Sequence, residues 1–125
     1  MTFSSDYQER AQAFGFASPD AIQRALQDDE HTYVLDVRTP DEIAASGKVH
    51  HPHWATTRCT PQSCDALAAH PEEFVRNKDE AVVVLYCRSG RRASKAKEIL
   101  QAKGYRHVLN AGGYDDVVEI QKGEW

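Results

Sequence analysis

Ala81-Val82-Val83-Val84-Leu85-Tyr86-Cys87-Arg88-Ser89-Gly90-Arg91-Arg92 is the stretch that decides the fold. Its first six residues are apolar with no polar alternation, the pattern of a strand covered on both faces in a parallel sheet. The character then changes at once, to a cysteine, a Ser-Gly turn and three arginines. Ala93, Ala96, Ile99 and Leu100 follow on one face of a helix that Gly104 stops.

Outward from that unit the same alternation continues. Ser18-Pro19-Asp20 reads as a helix start, with serine as cap, proline in the first turn and aspartate at the positive end. Ile22, Ala25 and Leu26 give that helix a short apolar face, which ends near Asp28-Asp29. Tyr33 to Val37 predicts a buried strand, and Asp41 to Ser46 one or two helical turns before Gly47. Lys48 to Ser63 reads as a long irregular connection, and Asp65 to Asn77 as a helix broken at Pro71. Val108-Leu109-Asn110 is expected to be a short strand, Gly112-Gly113 a turn, and Tyr114 to Glu119 a last helix. The expected class is α/β, a small, mostly parallel β-sheet flanked by helices on both faces. It forms one domain over residues 1–125, with its core at about 18–120.

Ligands of an open α/β sheet bind beyond the carboxyl ends of the strands, which is where Cys87 falls. The start of the following helix offers unpaired N–H groups and partial positive charge. Arg88, Arg91 and Arg92 lie within five residues of the sulfur, and Gly90 allows a tight turn that aims amides inward. These surroundings favour thiolate over thiol and would hold an anion. Cys87 is therefore the candidate nucleophile, and Arg88, Ser89, Gly90, Arg91 and Arg92 the candidate substrate-binding residues. The plainer reading is a buried structural cysteine. Such a cysteine has no need of three arginines and a Ser-Gly turn directly after it.

The chain of 125 residues is 41 % hydrophobic, enough for one core, and carries a formal net charge of −4. That balance offers no basic surface for nucleic acid or an anionic membrane. The run Ala81 to Tyr86 is far too short to span a bilayer. Met1 to Arg10 is polar and lacks the basic region and apolar stretch of a secretory signal. A cytoplasmic, reducing location is the expectation. Three cysteines, an odd number, do not suggest a secreted disulfide framework.

The segment Cys87-Arg88-Ser89-Gly90-Arg91-Arg92-Ala93-Ser94 resembles the active-site loop of rhodanese-like sulfurtransferases. Leu35-Asp36-Val37-Arg38-Thr39-Pro40-Asp41-Glu42-Ile43 resembles the first signature of that family. Gly104-Tyr105 and Asn110-Ala111-Gly112-Gly113-Tyr114 resemble its closing pattern. The resemblance runs from about Ser18 to Ile120. It implies that Cys87 attacks the outer sulfur of a small anionic donor such as thiosulfate. Cys87 then carries the sulfur as a persulfide and passes it to a thiol, cyanide or protein acceptor. It implies no metal and no organic cofactor. The chain departs from the family at Gly47-Lys48-Val49-His50-His51-Pro52-His53-Trp54, where a Gly-His-Ile-x-Gly-Ala segment is usual. It departs again at Val117, near which the family often has tryptophan. Both departures lie outside the cysteine loop and bear on acceptor and partner.

Two other functions share this fold. One is a cysteine-dependent phosphatase or arsenate reductase, for which the resemblance implies Cys, five residues, then Arg. Here four residues separate Cys87 from Arg92, and the sixth position is Ala93, so the cradle is smaller. The other is a non-catalytic binding module, which needs no nucleophile.

Asp36 and Arg38 are expected at the same sheet edge as the Cys87 loop. They are accessory candidates for the site, or else part of a structural ion pair such as Arg38 with Glu42. His50, His51 and His53 precede Cys59 and Cys64, but the two cysteines are five apart, which matches no common zinc spacing. A polar loop with reduced cysteines is the expectation. A local disulfide, or a thiol that resolves the Cys87 persulfide or sulfenate, is the alternative.

Overall fold

A computed structural model describes residues 3–123. Its elements in chain order are α1 (Ser5–Phe14), α2 (Pro19–Gln27), β1 (Thr32–Asp36), α3 (Pro40–Ser46), β2 (Trp54–Thr56), α4 (Asp65–Ala69), a 3-10 turn (Pro71–Glu73), β3 (Val82–Cys87), α5 (Arg91–Ala102), β4 (His107–Gly113) and α6 (Tyr114–Lys122). The four strands form one parallel sheet in the order β2-β1-β3-β4.

The apolar run of β3 sits at the centre of the sheet and faces two ways. Val83, Leu85 and Cys87 point into a cluster with Leu67 of α4 and Ala93, Ala96 and Leu100 of α5. Val84 and Tyr86 point into a second cluster with Ile22 and Leu26 of α2 and Val117 and Ile120 of α6. Strand side chains alternate faces, so a strand sandwiched between helices must be apolar at every position. The expected α/β architecture, with helices on both faces, is the one observed.

Local signals fix the helix starts. The Ser18 hydroxyl accepts from Ala21 N–H at 3.2 Å, with Pro19 at the first helical position. Thr39 and Glu42 close a reciprocal capping box at the start of α3.

The structure corrects the sequence reading of the fold at four places, the first being the helix expected from Asp65 to Asn77, which is only α4 and the 3-10 turn. The polar N-terminal segment contains α1, capped by Ser4 and ended by Gly15 at φ 67°. Tyr7 of this helix is buried. The connection from Lys48 to Ser63 contains β2, whose three residues pair with the edge of β1 and are too few for a periodic signal. Gly112 and Gly113 belong to β4 rather than to a free turn. Between the pairs Leu85 with Asn110 and Cys87 with Gly113, β4 carries an extra residue. That bulge takes up the left-handed φ of 88° at Gly112.

Gly113 ends the strand with its α-carbon against the backbone of Arg88, the residue that follows β3. A Cβ there would collide with the Arg88 carbonyl oxygen, an atom that cannot swing aside as a side chain would. Gly113→Ala is therefore expected to cost about 1–3 kcal/mol in urea unfolding. Wild-type stability in this variant would show that the two strand ends are not in contact.

Candidate active site

β3 delivers Cys87 to the carboxyl edge of the sheet, and α5 begins four residues later at Arg91. Between them Arg88, Ser89 and Gly90 fold back over the sulfur. The Gly90 N–H donates to Cys87 Sγ at 3.0 Å. This requires φ 99° at Gly90, a left-handed conformation that side chains resist. It also requires empty space, since a Cβ on Gly90 would collide with the Phe16 ring. Cys87 is fully enclosed and is the free cysteine among the described residues.

The turn is held from beneath. Asn110 Nδ2 donates to the Gly90 carbonyl at 2.9 Å and to the Phe14 carbonyl at 3.1 Å. Its Oδ1 accepts from Gly112 N–H at 3.0 Å. Arg10 of α1 donates from Nη1 to the Ser89 carbonyl at 3.0 Å and to Asp116 Oδ2 at 2.9 Å. Asp116 Oδ2 also accepts from Gly113 N–H at 2.8 Å.

The three arginines have separate fates. Arg92 turns to Glu42 in a two-pronged pair, Nη1 to Oε1 at 2.6 Å and Nη2 to Oε2 at 2.8 Å. That contact is the main cause that holds the Glu42 carboxyl down at about 2, from an ordinary 4.5. The guanidinium is raised in turn by Glu42, against the cost of burial, with a further contribution from the neighbouring Cys87 sulfur. Arg88 is exposed and lines a cavity of about 250 Å³ together with Arg38, Glu42, Ser46, Tyr114 and Asp115. Arg91 is exposed at the start of α5. Ser89 contributes its backbone carbonyl to Arg10.

Asp36 and Arg38 do pair, but with each other, in place of the expected Arg38–Glu42 contact. Arg38 Nη2 stands 2.7 Å from Asp36 Oδ2, and Arg38 Nε 2.9 Å from Oδ1. The reason is geometric: residues two apart on an extended chain face the same way. Glu42 is meanwhile turned toward Arg92 by its place in the capping box. Both members of the Asp36–Arg38 pair are buried. Burial opposes the charge on Arg38, but the Asp36 carboxylate outweighs it and raises the guanidinium. Arg38 also donates to Ser46 and to the Gly47 carbonyl, and lies over the Tyr114 ring at 4.6 Å. It thereby builds the floor of the cavity.

Cys59 and Cys64, expected to be reduced, form a disulfide. Thr60 N–H donates to the Ser63 carbonyl at 2.8 Å, and the tight turn this closes brings the two cysteines together. Both are buried in the cluster that also contains Cys87. Of the three histidines, His51 is hydrogen-bonded to the Asp28 carbonyl at 3.0 Å. No group of three potential metal ligands occurs among the described residues.

Sequence reasoning overlooked Arg10, Phe16, Asn110, Tyr114, Asp115 and Asp116. Asn110 carried a usable signal, a polar residue at an inward position of an apolar strand. The Thr39-x-x-Glu42 spacing could also have shown that Glu42 is oriented by a capping box. Arg10 carried no signal, being 79 residues from its loop contact.

The Glu42–Arg92 pair gives a pH expectation. A carboxyl held below its ordinary value contributes stability above about 4.5 and loses it as pH falls through about 2. Glu42→Gln should cost about 1–2 kcal/mol at pH 7. The gap from wild type in urea unfolding should shrink as pH falls over that range; a gap constant with pH would dismiss the pair. Replacing Cys59 and Cys64 together by serine should cost about 2 kcal/mol, the loop-closure value for so short a ring. Native alkylation of Cys87 should persist in that variant, because its own turn is intact.

Comparison with known proteins bears on the family and the fold. The Rhodanese-like domain family matches residues 18–119. A sulfurtransferase of Allochromatium vinosum is 32 % identical over 94 residues, 75 % of this chain and 78 % of that protein. Thiosulfate sulfurtransferase PspE of Escherichia coli is 51 % identical over 43 residues, which span 34 % of this chain and 40 % of that protein. A solved rhodanese with anions from E. coli superposes with a TM-score of 0.55 at 30 % identity, over 68 % of this chain and 89 % of that one. With its parallel sheet and its cysteine loop at the carboxyl edge, the chain belongs to the rhodanese-like sulfurtransferases.

Proposed function

We propose that the chain, acting as one rhodanese-like domain, moves a sulfane sulfur through a Cys87 persulfide, from thiosulfate or a similar anionic donor to a thiol, cyanide or protein acceptor. The observation that carries this reading is the Gly90 N–H directed at the Cys87 sulfur at the mouth of α5. A donor hydrogen bond to sulfur favours the anionic form, either the attacking thiolate or the persulfide that replaces it.

In the forward half-reaction the Cys87 thiolate attacks the outer sulfur of thiosulfate. A Cys87–sulfur bond forms, the sulfur–sulfur bond of the donor breaks, and sulfite leaves with the electron pair. In the second half an acceptor thiolate or cyanide attacks the outer sulfur, and the Cys87 thiolate is released. Sγ is fully covered, so the Arg88–Gly90 turn has to move aside for loading. Arg88, exposed at the neighbouring cavity, attracts the donor, while Asp36 and Arg38 keep the cavity floor in shape. Arg91 adds positive potential at the start of α5, where the charge of Arg92 is met by Glu42. The chemistry calls for neither metal nor organic cofactor.

The phosphatase or arsenate reductase reading is weaker for a reason beyond loop length. Arg92, the arginine nearest the position of a phosphate clamp, is closed in a two-pronged pair with Glu42. The non-catalytic module reading leaves the glycine turn over Cys87 without a purpose. No helix among the described residues is long and apolar enough to cross a membrane. We place the protein in the cytoplasm, where disulfides are uncommon; burial of Cys59 and Cys64 would shield their bridge from the thiol pool there.

The test is to incubate the protein with thiosulfate and weigh it intact. We expect a gain of one sulfur atom, lost on adding cyanide. Cys87→Ser and Cys87→Ala should fold normally, gain no sulfur and lose thiosulfate-to-cyanide activity. Hydrolysis of an aryl phosphate should be negligible. Cys87-dependent hydrolysis at rates near those of sulfur transfer would replace this reading with the phosphatase one.

A further inference from the structure

Helix α1 lies outside residues 18–119, yet it reaches the cysteine loop through one side chain. Arg10 is four-fifths buried, with its guanidinium within 6 Å of the Tyr7 and Phe16 rings, at 5.8 and 5.7 Å. It is aimed by carboxylates. Nε donates to Asp6 at 2.9 Å, and Nη1 and Nη2 donate to Asp116 at 2.9 and 3.2 Å. Nη1 also donates to the Ser89 carbonyl at 3.0 Å.

The Ser89 carbonyl and the Gly90 N–H are two ends of one peptide unit. Arg10 holds the oxygen end, and the N–H end donates to Cys87 Sγ at 3.0 Å. The amide is conjugated, so charge drawn to its oxygen leaves its N–H more positive. Hydrogen bonds linked in this way strengthen one another, most of all where water is excluded. The sulfur here is fully enclosed. A stronger donor stabilises an anionic sulfur more than a neutral thiol.

We propose that Arg10 is a positioning residue of the cysteine loop: it polarises the Ser89–Gly90 peptide and so strengthens the Gly90 hydrogen bond that stabilises the anionic forms of the Cys87 sulfur. The thiolate part of the proposal stands on geometry alone, and the persulfide part rests on the proposed sulfur transfer. The hydrogen bond with Asp116 is the main cause raising the Arg10 guanidinium above its ordinary, already strongly basic value, and the charge is present throughout the working pH range. The other charges around the sulfur belong to other elements. They are Arg92 of α5 with Glu42 of α3, the Asp36–Arg38 pair at the end of β1, Arg88 in the turn, and Asp116 of α6, the partner of Arg10 itself. A substitution at Arg10 leaves the first three in place and takes the partner from Asp116, whose bared carboxylate acts in the same direction as the lost guanidinium.

The experiment is the rate of Cys87 alkylation by iodoacetamide against pH, in the full chain under native conditions. Cys59 and Cys64 are bridged and do not compete. Arg10→Met removes charge and donors while keeping bulk. It should slow alkylation at pH 7 by about three- to tenfold, as a smaller thiolate fraction requires, and move the whole profile to higher pH. Arg10→Lys, which keeps the charge, should recover at least half of that shift. Ser4→Ala removes the N-cap of α1 at a distance from the guanidinium and should leave the profile in place. Superimposed profiles for R10M and wild type overturn the proposal. So does an equal shift in Ser4→Ala, which would trace the effect to the stability of α1. Should R10M fail to fold, Arg10→Gln, which keeps a neutral donor, carries the same expectation at a smaller size, and an unmoved profile in it overturns the proposal. Alkylation needs no sulfur donor. A shifted profile in a protein that takes no sulfur from thiosulfate would therefore sink the proposed function and leave the Arg10 effect standing.

Discussion

A backbone amide aimed at a sulfur atom organises this corner of the molecule. For Gly90 to donate to Cys87 three residues back, the chain must double over itself directly after a central strand. That bend uses a left-handed backbone at Gly90 and the absence of side chains on Gly90 and Gly113, where they would strike Phe16 and the Arg88 carbonyl. The bulge in β4 supplies the extra residue that lets the last strand reach the turn. Asn110 then ties the Gly90 carbonyl to the floor. The turn rests on backbone packing, and few substitutions at its glycines are neutral.

Charge is distributed by pairing rather than by number. Arg88, Arg91 and Arg92 are neighbours in sequence, yet one lines a cavity, one faces solvent and one is clamped by a carboxylate. Glu42 serves two elements at once. It caps α3 and holds the first turn of α5, so one side chain ties the wall of the cavity to the surroundings of the thiol. The buried Asp36–Arg38 pair has the same economy, closing the end of β1 while it supports Ser46, Gly47 and the Tyr114 ring. A buried pair of this kind adds little net stability over apolar packing, but losing one partner strands the other.

Much of the fold was legible in the sequence because its signals are local. The unbroken apolar run of β3, the Ser18-Pro19 helix start, and the Cys-Arg-Ser-Gly turn each act within a few residues. What escaped was long-range or too short to be periodic. Helix α1 has a mostly polar surface and buries Tyr7 against a core that lies far ahead in the chain. Strand β2 is three residues long and is defined by its partner. The Arg38 pairing depends on the extended course of the chain after β1, which turns Arg38 to the same side as Asp36 two residues back. The cysteine bridge depends on the Thr60–Ser63 turn, and nothing in the spacing of five distinguishes that turn from an open loop.

The limits of the family resemblance and the limits of the loop's support do not coincide. A fragment excised at Ser18 would keep every strand and five of the six α-helices. It would also discard the Phe16 ring that fills the hollow beneath Gly90 and Gly112, and the Phe14 carbonyl that shares the Asn110 amide. An aromatic-sized void would open directly under the turn while the sheet stayed whole. Such a fragment would keep the signature of its sheet with its most demanding few residues unsupported.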